Sequence, residues 1–328
     1  MKIIAGDIGG TKTLLQLADS VDGKLTVIHE SRYDSQAAVT FDEVMAAFLK
    51  ETSAMREDGV ESMCIGVAGP VSGHTAKVTN LPWLLDTRQL SNHFNIARVS
   101  LINDFQAIGY GIEALEDTDL VVLQQGQKNE HGTRAIIGAG TGLGSAIIVW
   151  HGGQSTVLPS EGGHADFAPS TDLQVELLQF LRRKVNTVSV EHVLSGPGLE
   201  NIFDFFNARE PGGVSGALTQ AIKTSGVAPA VTELGMDNDP LAAQALNLFV
   251  QIYGAIAGNL ALTSYAVGGV YISGGIAPRI VEKLKGGEFI AAFNHKSKMQ
   301  HLLTTIPVKV VTNPRVGLLG AALVASRQ

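Results

Sequence analysis

The sequence predicts an α/β protein of two domains built on a duplicated scaffold. A length of 328 residues suits two domains of ordinary size. A glycine-rich turn, Gly6-Asp7-Ile8-Gly9-Gly10-Thr11-Lys12-Thr13, follows the apolar Ile3-Ile4-Ala5 and leads into Leu14-Leu15-Gln16-Leu17. A second turn, Gly138-Ala139-Gly140-Thr141-Gly142-Leu143-Gly144, lies between Ala135-Ile136-Ile137 and Ala146-Ile147-Ile148-Val149. Each unit reads strand, turn, strand. Glycine admits positive φ and the close approach of another group, and successive exposed N–H groups form a concavity that suits anions. One such turn alone is as readily a plain hairpin. Two of them, with Asp7 and Thr141 inside, point to a scaffold that closes on one polyphosphate from both sides. The Walker pattern is absent, and the second turn is no G-x-G-x-x-G, since residue 143 is Leu and residue 145 is Ser. A strand rather than a helix follows each turn, which argues against a dinucleotide fold.

Composition narrows the class. Hydrophobic residues make up 45% and charged residues 17%, with 37 glycines, which fits a globular chain rich in turns and argues against disorder. A net charge of −7 without a basic cluster argues against nucleic acid or an anionic membrane as partner. The single cysteine, Cys64, excludes an intramolecular disulfide and a cysteine-based zinc cluster. Its apolar setting, Ser62-Met63-Cys64-Ile65-Gly66-Val67-Ala68, reads as a buried strand thiol. The chain starts on a strand without a charged-then-apolar leader. Its most apolar late stretch is interrupted by Gly254, Gly258 and Asn259. The expectation is therefore a cytoplasmic protein without a membrane span.

Residues 2–5, 14–18 and 25–28 read as a three-stranded meander. Thr40 and Glu43 form a capping box with Val39 and Val44 as staple, ahead of a helix whose apolar face is Phe41, Val44, Met45, Phe48 and Leu49. A strand is expected over 63–68, and a hairpin and loop over 71–90. Within that loop Asn80-Leu81-Pro82-Trp83 reads either as a ligand-contacting loop or as a proline turn packed by one tryptophan. The strand Val99-Ser100-Leu101-Ile102 ends in Asn103-Asp104, with a helix from Phe105. The carboxyl end of a parallel strand is where α/β folds place ligands, although an isolated Asp there is as readily a helix cap.

Strands follow over 120–123 and 135–149. Glu161-Gly162-Gly163-His164 is expected in a non-helical loop, poor as a metal site but suited to a hydroxyl-rich ligand. Thr171 and Gln174 cap a helix with Leu173, Leu177, Leu178, Leu181 and Val185 on one face. Glu191-His192 precedes Val193-Leu194-Ser195-Gly196-Pro197-Gly198, and 199–206 reads as helix with three core phenylalanines. Residues 208–238 show only short helical patches. Asp239-Pro240 starts a helix running to about Tyr265, in which Gly254 and Gly258 are costly unless something packs close to the backbone. The strand Gly269-Val270-Tyr271-Ile272-Ser273 breaks at Gly274-Gly275 before a helix at Pro278. The last strand is 308–311, and 316–326 is a small-residue helix.

Taken together these residues resemble the sugar kinase, actin and heat-shock ATPase superfamily, and within it the bacterial glucokinases that lack a zinc-binding cysteine cluster. The resemblance rests on Gly6 to Thr11, Ile102-Asn103-Asp104-Phe105, Gly138 to Gly144, Glu161 to Phe167, Leu194 to Leu199, Gly258-Asn259-Leu260-Ala261-Leu262 and Gly274-Gly275-Ile276-Ala277-Pro278. These segments span nearly the whole chain in family order. Lys12 stands where the family pattern has Asn. With only Cys64, the zinc-binding branch is disfavoured.

The resemblance implies a two-domain actin-like, ribonuclease H-like duplicated fold with the active site in the cleft between domains. It implies a small domain over 1–112 plus 315–328, a large domain over 113–314, and a homodimer. It further implies ATP-dependent phosphorylation of glucose at the 6-hydroxyl with Mg²⁺. Asp104 would be the general base, and Asn103, Asp104, Glu161, His164 and Glu191 would hold the sugar. Gly6, Asp7, Ile8, Gly9, Gly10, Thr11, Gly140, Thr141 and Gly142 would bind the nucleotide phosphates, with Asp7 orienting Mg²⁺ through water. Gly274 and Gly275 would border the adenine. Closure on the sugar would exclude water. A kinase of another hexose or of an N-acetylhexosamine is the nearer alternative. A nucleotide-switch ATPase on the same fold, which needs no polyol pocket, is the farther one.

Overall fold

The structure, a computed structural model, describes residues 1–21, 24–56 and 59–328. It divides into two compact units, Met1–Glu116 with Ser155–Pro159 and Asn313–Gln328, and Asp117–Gln154 with Ser160–Thr312.

The first unit holds a five-stranded sheet in the order Lys24–Asp34, Lys12–Val21, Lys2–Ile8, Ser62–Val67, Arg98–Asn103. The first three form the antiparallel meander, longer than the sequence indicated, and the last three run parallel. Parallel strands are covered on both faces, and all six residues of Ser62–Val67 are buried. The helix Phe41–Glu51 lays Phe41, Val44, Met45 and Phe48 into one core. Thr40 accepts the Glu43 N–H at 3.3 Å, but Glu43 accepts the N–H of Val39 at 3.0 Å rather than that of Thr40, so only half of the expected capping box forms. Val39 itself is 72% exposed, and the expected staple is not buried. On the other face Ile3, Ala5 and Cys64 pack with Ala107 of the helix Asp104–Gly111 and with Leu318, Ala321, Ala322 and Ala325 of the helix Val316–Ser326. Burial pushes the Cys64 thiol up to about 12.

One expectation in this unit is revised and one open alternative is resolved. The stretch 71–90 contains the short strands Val71–Ser72, Thr75–Lys77 and Leu84–Asp86, but its end belongs to a helix, Thr87–Phe94. Asp86 caps that helix, accepting the N–H groups of Arg88 and Gln89 at 2.8 and 3.1 Å. Trp83 is a core residue, 2% exposed, with its indole N–H on Ala38 O. The proline-turn reading of residues 80–83 is thus the one its packing supports.

The second unit repeats a four-strand arrangement. Leu143–His151 pairs antiparallel with Arg134–Ala139, which runs parallel to Gly269–Ser273 and on to Val308–Val311. In the first unit Lys12–Val21, Lys2–Ile8, Ser62–Val67 and Arg98–Asn103 stand in the same order and sense. The strand Leu120–Gln124 adds an antiparallel edge. The stretch 208–238 is largely helical, as Gly216–Ser225, capped by Ser215, and Val227–Met236.

The long helix is Pro240–Thr263, two residues shorter than expected, with Asp239 as its cap. A Cβ on Gly254 would lie 2.1 Å from Phe289 O and one on Gly258 2.5 Å from Phe293 O. The backbone of the helix Glu288–Asn294 thus occupies the space those side chains would fill, which accounts for two glycines in a helix interior. The long helix has the length and apolarity to cross a membrane, but 67% of its most apolar window is buried within the protein. It is a core helix.

Candidate active site

In the first unit the strand Lys2–Ile8 delivers Asp7 to the first glycine turn. Gly9 N–H closes that turn on Lys12 O at 2.9 Å. Burial raises the proton affinity of Asp7, and the Lys12 ammonium lowers it. Asp104 follows the parallel strand Arg98–Asn103 and opens the helix Asp104–Gly111. The helix cap is Asn103, not Asp104. Asn103 Oδ1 accepts the Phe105 N–H at 2.9 Å, and Asn103 N–H donates to Gln106 Oε1 at 3.1 Å. Asn103 Nδ2 donates to Gly69 O at 3.3 Å, which holds the side chain in place.

Asp104 is pushed up to about 6, first by burial and then by the charge of Asp7, against the Phe105 N–H that it accepts at 3.0 Å. Asp7 and Asp104 stand at the ends of parallel strands separated by Ser62–Val67, and the charge of Asp7 raises the proton affinity of Asp104, an arrangement found at functional sites. A carboxylate of this kind accepts a proton near neutral pH. Among the described residues no three His, Cys, Asp or Glu side chains gather to hold a metal. A pair of carboxylates suits a Mg²⁺ that arrives on a polyphosphate and keeps much of its water.

In the second unit the turn Gly140–Gly142 is closed by Gly140 N–H on Gly142 O at 2.8 Å. Gly274 lies directly beside its base. A Cβ there would stand 2.5 Å from Ala139 O, and φ is +83°, so residue 274 has to be glycine. Gly275 has open space around it. The structure thus brings the second glycine turn and the Gly274-Gly275 break to the same strand ends. Glu161 and His164 belong to a hydrogen-bonded 3₁₀ turn, where the sequence predicted a flexible loop. Their side chains are 84% and 65% exposed and 3.9 Å apart, free to meet a ligand. The turn rests on the second glycine hairpin, because a Cβ on Gly163 would fall 2.2 Å from Leu143 O. Glu191 lies in the turn Val190–His192 and accepts the Leu143 N–H through Oε2 at 2.7 Å.

The glucokinase family model matches residues 4–328. The chain is 43% identical over 340 residues to a glucokinase of Nostoc sp., covering 99% of both chains. The chain belongs to the glucokinase family. Among solved structures it matches glucokinase from an Antarctic psychrotroph with a TM-score of 0.85 at 29% identity, over 100% of this chain and 99% of that one. It also matches a ROK-family glucokinase from Streptomyces griseus, solved with glucose and AMPPNP, with a TM-score of 0.63 at 19% identity, over 100% of both chains. At that identity the second likeness concerns the fold, which is the two-domain actin-like one.

On this glucokinase-family scaffold, three residues not singled out in the sequence support the site. Ser35 is fully buried, donates through Oγ to Gly9 O at 2.9 Å and shares a hydrogen bond with Thr13 Oγ1 at 2.9 Å, bracing the first turn. Gly317, in the first turn of the C-terminal helix, lies beside Asp7, where a Cβ would meet its carboxylate at an ordinary van der Waals distance of 3.4 Å. Tyr253 is fully buried in the long helix, and its hydroxyl accepts the Ala139 N–H at 3.2 Å just beneath the second turn. Ser35 carries no motif. Gly317 and Tyr253 lie in segments that read as packing, and only their three-dimensional neighbours reveal more.

Proposed function

We propose that the protein transfers the γ-phosphoryl group of ATP to the 6-hydroxyl of glucose. Such transfer rests on positioning and charge stabilisation more than on covalent chemistry. The observation that carries the reading is Asp104, a largely buried carboxylate at a parallel strand end, with a proton affinity raised to about 6. Asp104 accepts the proton of the 6-hydroxyl as that oxygen attacks, and its neighbour Asn103 holds the helix entry that aims it. Asn103, Glu161, His164 and Glu191 bind the remaining hydroxyls, each of which both donates and accepts. Such a set leaves polar groups unpaired when an epimer binds, and discriminates on that basis.

Backbone N–H groups of Gly9, Gly10 and Thr11, and of Gly140, Thr141 and Gly142, cradle the phosphates. Gly6 and Ile8 are the strand positions that flank Asp7 and fix where it points. The Gly274-Gly275 break borders the adenine. Asp7 would be the residue that holds Mg²⁺, by way of the ion's own water. Such an ion would supply positive charge to offset that of the phosphates. We further propose that the protein acts in the cytoplasm as a homodimer; its one cysteine is buried and free, which fits a reducing compartment.

The test is product identification by ³¹P and ¹³C NMR after incubation with Mg-ATP and glucose. The reading requires one product phosphorylated on C6. Phosphate on another hydroxyl, or free inorganic phosphate in place of a sugar ester, overturns it. Parallel incubations with mannose and N-acetylated hexosamines decide whether another sugar is the better acceptor.

A further inference from the structure

Glu191 makes contacts that sugar binding alone does not explain. Its Oε2 accepts the N–H of Leu143, the first residue of the strand leaving the second glycine turn, at 2.7 Å. A Cβ on Gly142 would stand 2.6 Å from that same oxygen. The carboxylate therefore fills the space beside the turn and fixes one end of it. The residues after Glu191 fix the other end. Gly196 N–H donates to Gly140 O at 2.8 Å. Ser195 Oγ donates to Glu191 O at 2.7 Å and accepts the Gly198 N–H at 2.9 Å, which ties the two ends into one segment.

We propose that Glu191 is a positioning residue for the nucleotide-binding turn, and that its carboxylate couples sugar occupancy to nucleotide affinity. The coupling rests on the reading above, in which Glu191 also takes a sugar hydroxyl. A hydroxyl donated to the carboxylate fixes its rotamer. A fixed rotamer holds the Leu143 N–H and restrains Gly140 to Gly142 in the conformation that receives phosphate. By linkage, nucleotide then strengthens sugar binding by the same factor.

The experiment is calorimetric titration of Mg-ADP into the full-length protein without sugar, then with saturating glucose, for wild type, Glu191→Gln and Glu191→Ala. The amide oxygen of glutamine still accepts the Leu143 N–H, whereas alanine leaves it without a partner. Without sugar, Glu191→Ala is expected to bind ADP about 10-fold more weakly and Glu191→Gln within about 2-fold of wild type. Unchanged affinity in Glu191→Ala, or an equal loss in both variants, overturns the positioning role. Should Glu191→Ala not fold, Gly142→Ala displaces the same carboxylate with Glu191 intact, and wild-type ADP affinity there overturns it equally. In the glucose arm wild type gains ADP affinity and Glu191→Ala does not. Absence of that gain in a wild type that still phosphorylates glucose overturns the coupling. The sugar-free arm reads the turn whether or not glucose proves to be the substrate, so failure of the proposed activity is distinguishable from failure of this proposal.

Discussion

Replacing Asp104 by Asn separates what this side chain does for catalysis from what it costs the fold. The amide keeps the shape and an oxygen that accepts the Phe105 N–H, a bond of 3.0 Å in the native protein. It removes the proton acceptor, so turnover should fall by about 10²–10⁴-fold. Stability should move the other way. Burial and the charge of Asp7 raise the Asp104 carboxyl from 3.8 to about 6. The native state therefore binds the proton more tightly than the unfolded chain, and the stabilising neutral form is fully present below the unfolded value near 3.8. That contribution is lost as pH rises through about 6. A rise from 3.8 to about 6 corresponds to at most about 3 kcal/mol. Because solvent reaches part of the residue, a gain of roughly 1–2 kcal/mol for Asp104→Asn above pH 7 is the expectation. The assay is urea denaturation of both proteins at about pH 4 and about pH 8, beside turnover at the higher pH. The variant should be more stable at pH 8 and nearly equal at pH 4. A variant less stable at pH 8, or one with near-normal turnover, refutes the reasoning.

Further outcomes follow from the same contacts. Wild-type kcat should decline as pH falls through about 6, where Asp104 takes up its proton, and should be regained on return to neutral pH; a flat profile down to pH 5 contradicts the general-base role. Glu161→Ala and His164→Ala, at exposed side chains, should raise KM for glucose about 10-fold or more with stability within about 0.5 kcal/mol of wild type; a large fall in melting temperature would mark them as scaffold. Tyr253→Phe strips the Ala139 N–H of its acceptor and should cost about 1–3 kcal/mol in denaturation; unchanged stability would show that the bond contributes nothing. Cys64, fully buried with its thiol pushed up to about 12, should not react with a thiol reagent until the protein unfolds.

Much of the fold was legible because its signals are local. Apolar runs beside glycine turns mark both hairpins, and Thr40, Thr171 and Asp239 each cap the helix they announce. The helix at Thr87 was missed although Asp86 and Gln89 offered a capping pattern, because Gly73, Pro82 and Trp83 before it read as loop. Gly254 and Gly258 were legible only as a question; its answer, the backbone of Glu288–Asn294, lies far along the chain. The candidate site was named almost entirely through a family pattern, since an isolated Asp or Glu carries no local signal of its role. What no pattern conveyed is how these residues are held. That Ser35 braces the first turn and that Glu191 fills the space beside Gly142 are facts of long-range contact, whereas the Asn103 cap on the helix bearing Asp104 is local, made with Phe105 and Gln106.

Dependence of phosphoryl transfer on the sugar separates a sugar kinase from a nucleotide switch. A coupled assay of ADP release with Mg-ATP, run without sugar and then across a panel of hexoses, measures this in one experiment. ADP formation should require glucose and fall sharply with its epimers. ADP release at the same rate without any sugar would contradict it, and would assign the same fold to a nucleotide switch that leaves Glu161 and His164 without a task.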